Sequence, residues 1–197
     1  MRRLSALLLL LPLTGLLGGC PAVLLGGGAA AVSAIEDRRT SGTMLDDDSI
    51  EVSVRRTLRE RFGENTHVNV TSFNRSVLLT GEIPDQARRV EIEKIVQGIG
   101  NVRSVTNDLQ LGAPSSLGAR ANDSLITGRV KTRLLDASKV NPLHVKVVTE
   151  NGVVYLMGIV TEQEANDAVE VARTTGGVIK VVKVFEYYRL GDGICRP

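Results

Sequence analysis

Hydrophobic positions along this chain fall first into a helical period and then into an alternating one, and the whole succession occurs twice. Ile50, Val54 and Leu58 stand at i, i+4 and i+8, with Arg55, Arg56 and Arg59 off that stripe, which predicts an amphipathic helix. Asp47, Asp48 and Ser49 precede the stripe and are expected to cap the helix and to suit the positive end of its dipole. Val68, Val70 and Ser72 then alternate with polar residues, a short polar break follows, and Val77, Leu78 and Leu79 run towards Gly81; this predicts two antiparallel strands. A second helix carries Ile92, Ile95, Val96 and Ile99 and ends at Gly98 and Gly100. A last strand carries Val102, Val105, Leu109 and Leu111.

The second copy repeats each step. Its opening stripe is Ile126, Val130 and Leu134, with Asp123 and Ser124 at the start and Arg129, Lys131 and Arg133 off the stripe. Its hairpin break is Asn151-Gly152, whose readiness for positive φ is a strong short-range hairpin signal. Its second helix is capped by Thr161 with Glu164 three residues on, carries Ala165, Ala168, Val169 and Ala172, and ends at Gly176 and Gly177. The last strand holds Ile179, Val181, Val182, Val184 and Phe185. His67, Val68, Val70, Val77, Leu79 and Gly81 recur 77 positions later as His144, Val145, Val147, Val154, Leu156 and Gly158. Two copies at so long a period mean a duplicated small domain, since a solenoid needs at least three or so shorter repeats. Each copy has the order helix, strand, strand, helix, strand, an α+β arrangement.

The segments around the copies differ in composition. Arg2 and Arg3 precede an apolar run from Leu4 to Leu17, which ends in Gly18, Gly19 and Cys20; the run is short for a spanning helix and reads as an export signal. It resembles a bacterial lipoprotein signal, with leucine at minus three and small residues before a cysteine that receives diacylglycerol. That resemblance implies a signal over residues 1–19, lipid attachment at Cys20, and, with Pro21 and no Asp at the second mature position, an outer-membrane destination facing the periplasm. Residues 20–45 are expected as the lipidated cysteine and a Gly- and Ala-rich tether, 113–121 as a linker, and 189–197 as a tail.

Charge and composition narrow the chemistry. The chain has 24 Lys and Arg against 22 Asp and Glu. Arg2 and Arg3 leave with the signal, so the mature protein stands at 22 against 22 and carries no nucleic-acid signature; with no Trp and few aromatics it also lacks a stacking platform. Two His and one distal Cys do not supply a convincing metal set, so no metal site is expected. His67 and His144 hold equivalent strand-start positions, which favours a shared packing or hydrogen-bonding role over ligation. The run Asp46, Asp47, Asp48 reads better as capping than as a cation site. Cys195 sits in the tail without rigid support and reads as a free thiol or an intermolecular bridge, not a nucleophile. No phosphate loop opens a helix, so no cofactor, no small-molecule substrate and no enzymatic activity are expected.

The order of elements, the Leu-x-Gly strand ends at Gly81 and Gly158, and the glycines before Val102 and Val178 resemble the BON domain, over about residues 46–112 and 122–188. Two such units behind a lipoprotein signal resemble the dual BON-domain outer-membrane lipoproteins of the DolP (YraP) type. The resemblance implies a three-stranded mixed sheet covered on one face by two helices, with a role in anionic phospholipid binding and envelope integrity. The candidate site is the first helix of the second copy. Arg129 and Arg133 share a face, Lys131 adds charge, and Leu125 stands beside the buried-stripe residue Ile126. A solvated charged face is the plain alternative. No acidic residue falls between Leu125 and Leu135, and residues 122–190 carry 9 basic against 8 acidic side chains, compared with 9 against 11 in 46–112. Leu125 stands where the family often has Trp, which implies weaker interfacial anchoring. The expected partners are an anionic phospholipid membrane and envelope assembly proteins. The rival expectation is a protein-binding adaptor whose open sheet faces, with Val181 to Phe185 at the edge, dock a partner or the other copy.

Overall fold

The computed structural model describes residues 37–63, 66–137 and 140–188. The expected signal, Cys20, most of the tether, and the tail with Cys195 lie outside the described residues. The first repeat runs α1 (Ser41–Phe62), β1 (His67–Phe73), β2 (Ser76–Ile83), α2 (Gln86–Gln97), β3 (Ser104–Asn107) and β4 (Gln110–Leu111). The second runs α3 (Leu117–Ala137), β5 (Val145–Glu150), β6 (Val153–Val160), α4 (Glu162–Arg173) and β7 (Lys180–Tyr187), with a short 3₁₀ turn, Pro142–His144, before β5.

Each repeat builds a mixed sheet around its middle strand. β2 pairs antiparallel with β1 and parallel with β3 and β4, and β6 pairs antiparallel with β5 and parallel with β7. The helices cover one face. Ile50, Val54 and Leu58 of α1 and Ile92 and Val96 of α2 bury against Val77, Leu79 and Ile83; Ile126, Val130 and Leu134 do the same with Val154, Leu156 and Val160. The expected last strand of the first repeat is interrupted at Asp108 and Leu109. There Leu109 turns wholly into the core, and Asn107 holds the break by donating to Arg89 O and Glu93 Oε2 and accepting from Leu109 N.

Both opening helices start earlier than the stripe predicts. Thr40 caps α1 by accepting from Thr43 N at 3.1 Å, and α3 begins at Leu117, inside the expected linker. Asp47 and Asp123 therefore lie within helices, on the buried stripe, and do not cap them. Each instead holds the hairpin of its own repeat. Asp47 accepts from the backbone N–H of Asn74 (2.9 Å) and Arg75 (2.7 Å), and Asp123 from those of Asn151 (2.9 Å) and Gly152 (2.8 Å). All four turn residues have positive φ, the geometry of a two-residue type I′ hairpin. Arg75 is no natural occupant of that region, and the carboxylate beneath it supplies the compensation. The expected capping box at Thr161 is present, with Thr161 Oγ1 accepting from Glu164 N at 3.2 Å and Glu164 accepting from Thr161 N at 2.8 Å.

The repeated Leu-x-Gly also has a steric reason. A Cβ on Gly81 would stand 2.1 Å from the His67 carbonyl oxygen, and one on Gly158 would stand 2.2 Å from that of His144. What His67 and His144 share is this backbone contact. Their side chains differ: His67 Nδ1 bonds Glu82 at 2.8 Å on the neighbouring strand, whereas His144 Nδ1 lies 3.6 Å from Glu164 on a helix.

The sheet faces away from the helices are closed by the other copy, one of the two occupants that the adaptor expectation allowed, which leaves them unavailable to a partner. They pack on each other. Phe73 and Leu78 of the first sheet form one buried cluster with Tyr155 and Met157 of the second, flanked by Val148, Val153, Ile159, Val182 and Val184. From Val77 to Ile83 every residue of β2 is buried, because odd and even positions face different cores. Polar contacts rim this junction. Lys146 Nζ reaches Glu51 (3.1 Å) and Ser72 O (3.2 Å), Asn74 reaches Glu186 (2.9 Å), and Arg103 pairs with Glu186. The buried Tyr155 hydroxyl donates to Asp108 at 2.8 Å; burial first, and then that carboxylate, push the phenol far above its usual range.

The segment before α1 ties both repeats. Arg38 forks onto Glu164 (both contacts 2.8 Å), donates to Ile159 O (2.7 Å) and stacks 4.5 Å over the Tyr188 ring, while Arg39 bonds Asp37 and Asp47 and lies 4.1 Å over Phe73. Burial alone would raise the Glu164 carboxyl, but Arg38 and Thr161 outweigh it and hold it at about 2, against an ordinary 4.5.

Two expectations follow. Asp123→Ala strands two N–H groups at the hairpin and is expected to lower stability by about 2–4 kcal/mol, read as a shifted urea midpoint, with Asp47→Ala behaving alike. The Arg38–Glu164 contribution belongs to a carboxyl whose folded pKa is depressed, so it is fully present above 4.5 and lost as pH falls towards about 2. The stability advantage of the native chain over Arg38→Ala, measured by denaturant titration across that range, is expected to be constant at neutral pH and to shrink at the acid end to what the Ile159 carbonyl and Tyr188 ring contacts supply.

Candidate functional site

With the sheet faces mutually covered, helix surfaces carry the side chains left for binding. The buried stripe of α3 is Asp123, Ile126, Val130 and Leu134. At about 100° per residue, the opposite face presents Leu117, Ala121, Leu125, Gly128, Thr132 and Leu135, an uncharged ridge. Its three leucines are 82%, 59% and 61% exposed in that order. Leu117 and Leu135 are separated by about five helical turns and so recur on the same line, roughly 27 Å apart.

Basic side chains flank the ridge on both sides. Arg129 and Arg133 lie on the flank that faces the end of α4, where Arg129 Nη1 comes within 3.4 Å of Gly176 O. Arg133 is held more firmly, donating to Val171 O (3.0 Å), Thr175 Oγ1 (2.7 Å) and Thr174 Oγ1 (3.1 Å). These contacts satisfy carbonyl and hydroxyl groups at the C-terminus of α4, where a cation also suits the helix dipole. A groove of about 520 Å³ runs between the two helices, lined by Leu125, Gly128, Arg129, Thr132, Arg133, Thr175 and Gly176, with Ser124 at its edge. Leu125, Arg129 and Arg133 are thus brought together. Lys131 is not with them: two residues from Arg129 it points to the other flank of the ridge, exposed and without a hydrogen bond or ion pair among the described residues.

Superposing the buried stripes of α1 and α3 shows why the copies are not equivalent. Ser49, Ser53 and Thr57 of α1 take the places of Leu125, Arg129 and Arg133. The arginines of α1 lie elsewhere and mostly meet acids. Arg55 pairs with Glu51, Arg56 lies 4.0 Å from Glu60, and Arg61 lies 2.6 Å from Glu91. Leu117 and Leu135 were the residues that the sequence left unmarked, Leu117 because it falls in a stretch rich in Gly, Pro and Ser. The five-turn spacing to Leu135 is the signal that points to it. No helix among the described residues is long and apolar enough to cross a membrane.

Comparison with known proteins agrees with this architecture. The BON domain model matches residues 46–113 and 122–188. The chain is 36% identical over 186 residues to the outer membrane lipoprotein DolP of Haemophilus influenzae, an alignment covering 93% of this chain and 96% of that protein. It is 36% identical over 153 residues to a 21 kDa hemolysin of Actinobacillus pleuropneumoniae, covering 77% and 79% of the two. It is also 32% identical over 144 residues to the osmotically-inducible protein Y of Escherichia coli, covering 71% and 72%. Both repeats are matched and the likeness runs nearly end to end, so the chain belongs to the BON-domain family and, within it, to the dual-domain DolP-like proteins.

Proposed function

We propose that this protein is a non-enzymatic, periplasm-facing lipoprotein of the outer membrane, anchored through Cys20, whose second BON domain binds anionic phospholipid and so supports envelope integrity. The observation that carries the reading is the α3 surface. Three exposed leucines on the outward face, Leu117 and Leu135 on one line and Leu125 about 80° round the helix from it, with Arg129 and Arg133 on one side and Lys131 on the other, form the layout of a helix lying in a membrane interface. Leucines enter the acyl boundary while guanidinium and ammonium groups reach phosphates. Each near-surface cation contributes about 1 kcal/mol on an anionic leaflet. Arg133 has a second duty at the end of α4, so its charge is pre-positioned at the cost of mobility. Anchoring at Cys20 would hold this weak surface near the bilayer and raise its effective concentration.

The name of the Haemophilus relative, an outer membrane lipoprotein, supports the location, and the Escherichia relative is named as osmotically inducible. Envelope assembly proteins stay as partners that the helix surfaces, and not the sheet faces, would have to recruit.

Titration of the full chain with vesicles of neutral and anionic composition tests the reading. Binding is expected to need anionic lipid, to weaken with salt, and to fall by more than about fivefold for Arg129→Glu, since loss of the cation alone removes about 1 kcal/mol and the added carboxylate is repelled. Lys131→Glu is expected to weaken it comparably from the opposite flank, and Arg56→Glu on α1 to leave it unchanged. Leu125→Trp is expected to raise affinity, with blue-shifted emission on binding. Binding that ignores both charge reversals on α3 contradicts the assignment.

A further inference from the structure

The junction between the repeats holds a group that the lipid-binding surface does not use. His67 from β1, Glu82 from β2 and Glu150 from β5 converge so that one donor atom of each lies within 4.8 Å of the others. Both carboxylates are buried, Glu82 at 6% and Glu150 at 5% exposure. Neither is bonded to a Lys or Arg among the described residues. Glu82 accepts from His67 (2.8 Å), Asn151 Nδ2 (2.5 Å) and Ser115 N (3.0 Å); Glu150 accepts from Asn69 Nδ2 (2.6 Å) and Thr80 Oγ1 (3.3 Å). Arg120 borders the adjoining cleft but bonds Ser115 Oγ.

Two buried carboxylates facing one imidazole leave negative charge that neutral donors orient but do not cancel, and such burial is costly without a cation. We propose that His67, Glu82 and Glu150 form a divalent metal site that fastens the two repeats together. One imidazole nitrogen and two carboxylate oxygens form a donor set suited to zinc, with manganese as the harder alternative, and leave a fourth position for water or the Thr80 hydroxyl. Zinc bonds of about 2.0–2.2 Å set the donors of a tetrahedral site about 3.4 Å apart, so Glu150 has to move in by roughly 1 Å while the His67–Glu82 pair, now 2.8 Å apart, opens slightly. Asn69, Asn151 and the Ser115 amide already fix the carboxylates from behind, as outer-shell partners of a metal do. A cleft of about 530 Å³, with His67, Asn69 and Glu150 on its wall, gives the ion a way in. The set draws on strands of both repeats, so it exists only while they are docked.

The chain has two histidines, which makes the test selective. The full chain in detergent, its Cys20 sulfur taken up by the lipid and Cys195→Ser removing the other thiol, is titrated with zinc chloride by calorimetry and by NMR of the imidazole nitrogens. One zinc per chain is expected, with the His67 ring resonances shifted and those of His144 unmoved. Glu150→Gln is expected to weaken binding by at least about tenfold and to abolish a zinc-dependent rise in melting temperature. No stoichiometric binding of zinc or manganese, an unshifted His67 ring, or unchanged affinity in Glu150→Gln overturns the site. The His67 readout needs no variant at the site, so it decides the matter even if Glu150→Gln fails to fold.

Discussion

Phe73 and Leu78 of one sheet share a buried cluster with Tyr155 and Met157 of the other, and this contact determines what the rest of the molecule is free to do. Domains of this size bury thin cores. Here each sheet is covered by helices on one face and by its twin on the other, so the middle strands become interior strands of a larger body. The consequence is exclusion as much as stability. Sheet faces that would serve an adaptor are spent on the internal contact, which leaves the helix surfaces as the candidates for recognition. Of those surfaces, α3 carries three exposed leucines between basic flanks, whereas α1 has serine and threonine where α3 has Leu125, Arg129 and Arg133, and its exposed apolar residues are Leu45 and Val52.

The duplication then works at two levels. Residues that are the same in both copies fix the scaffold: the glycines at 81 and 158 admit a carbonyl where a side chain would collide, and the aspartates at 47 and 123 hold positive-φ hairpins from beneath. Residues that differ assign roles. His67 turns to Glu82 and the junction, whereas His144 turns to Glu164, the carboxylate that also receives Arg38. Arg38 and Arg39, adjacent in sequence, grip different repeats, so the point at which the chain enters from its N-terminal side is fixed relative to both.

Much of this was legible in the sequence, for physical reasons. Helical stripes, the Asn-Gly turn and the Thr161–Glu164 spacing are local signals, and the elements they announce are present. Asp47 and Asp123 were misread because an acid ahead of an apolar stripe is also what a cap looks like; their place on the stripe itself, three residues before Ile50 and Ile126, was the discriminating sign. The sheet-to-sheet contact left a trace in the unbroken run Val77-Leu78-Leu79, since a strand with one open face would alternate. Arg129 and Arg133 were found by their spacing, but the grip of Arg133 on the end of α4 depends on tertiary placement. So does the meeting of His67 and Glu82 with Glu150, which lies in the other repeat.

The face-to-face docking is tested most directly by hydrogen exchange of the full chain with and without Met157→Asp, a charge placed in β6 at the centre of the shared cluster. The amides of β2, in the other repeat, are expected to lose protection together with those of β6, while α3 and α4 stay protected by their own core. Unchanged protection of β2 would show that the two sheets do not depend on each other and would contradict the account.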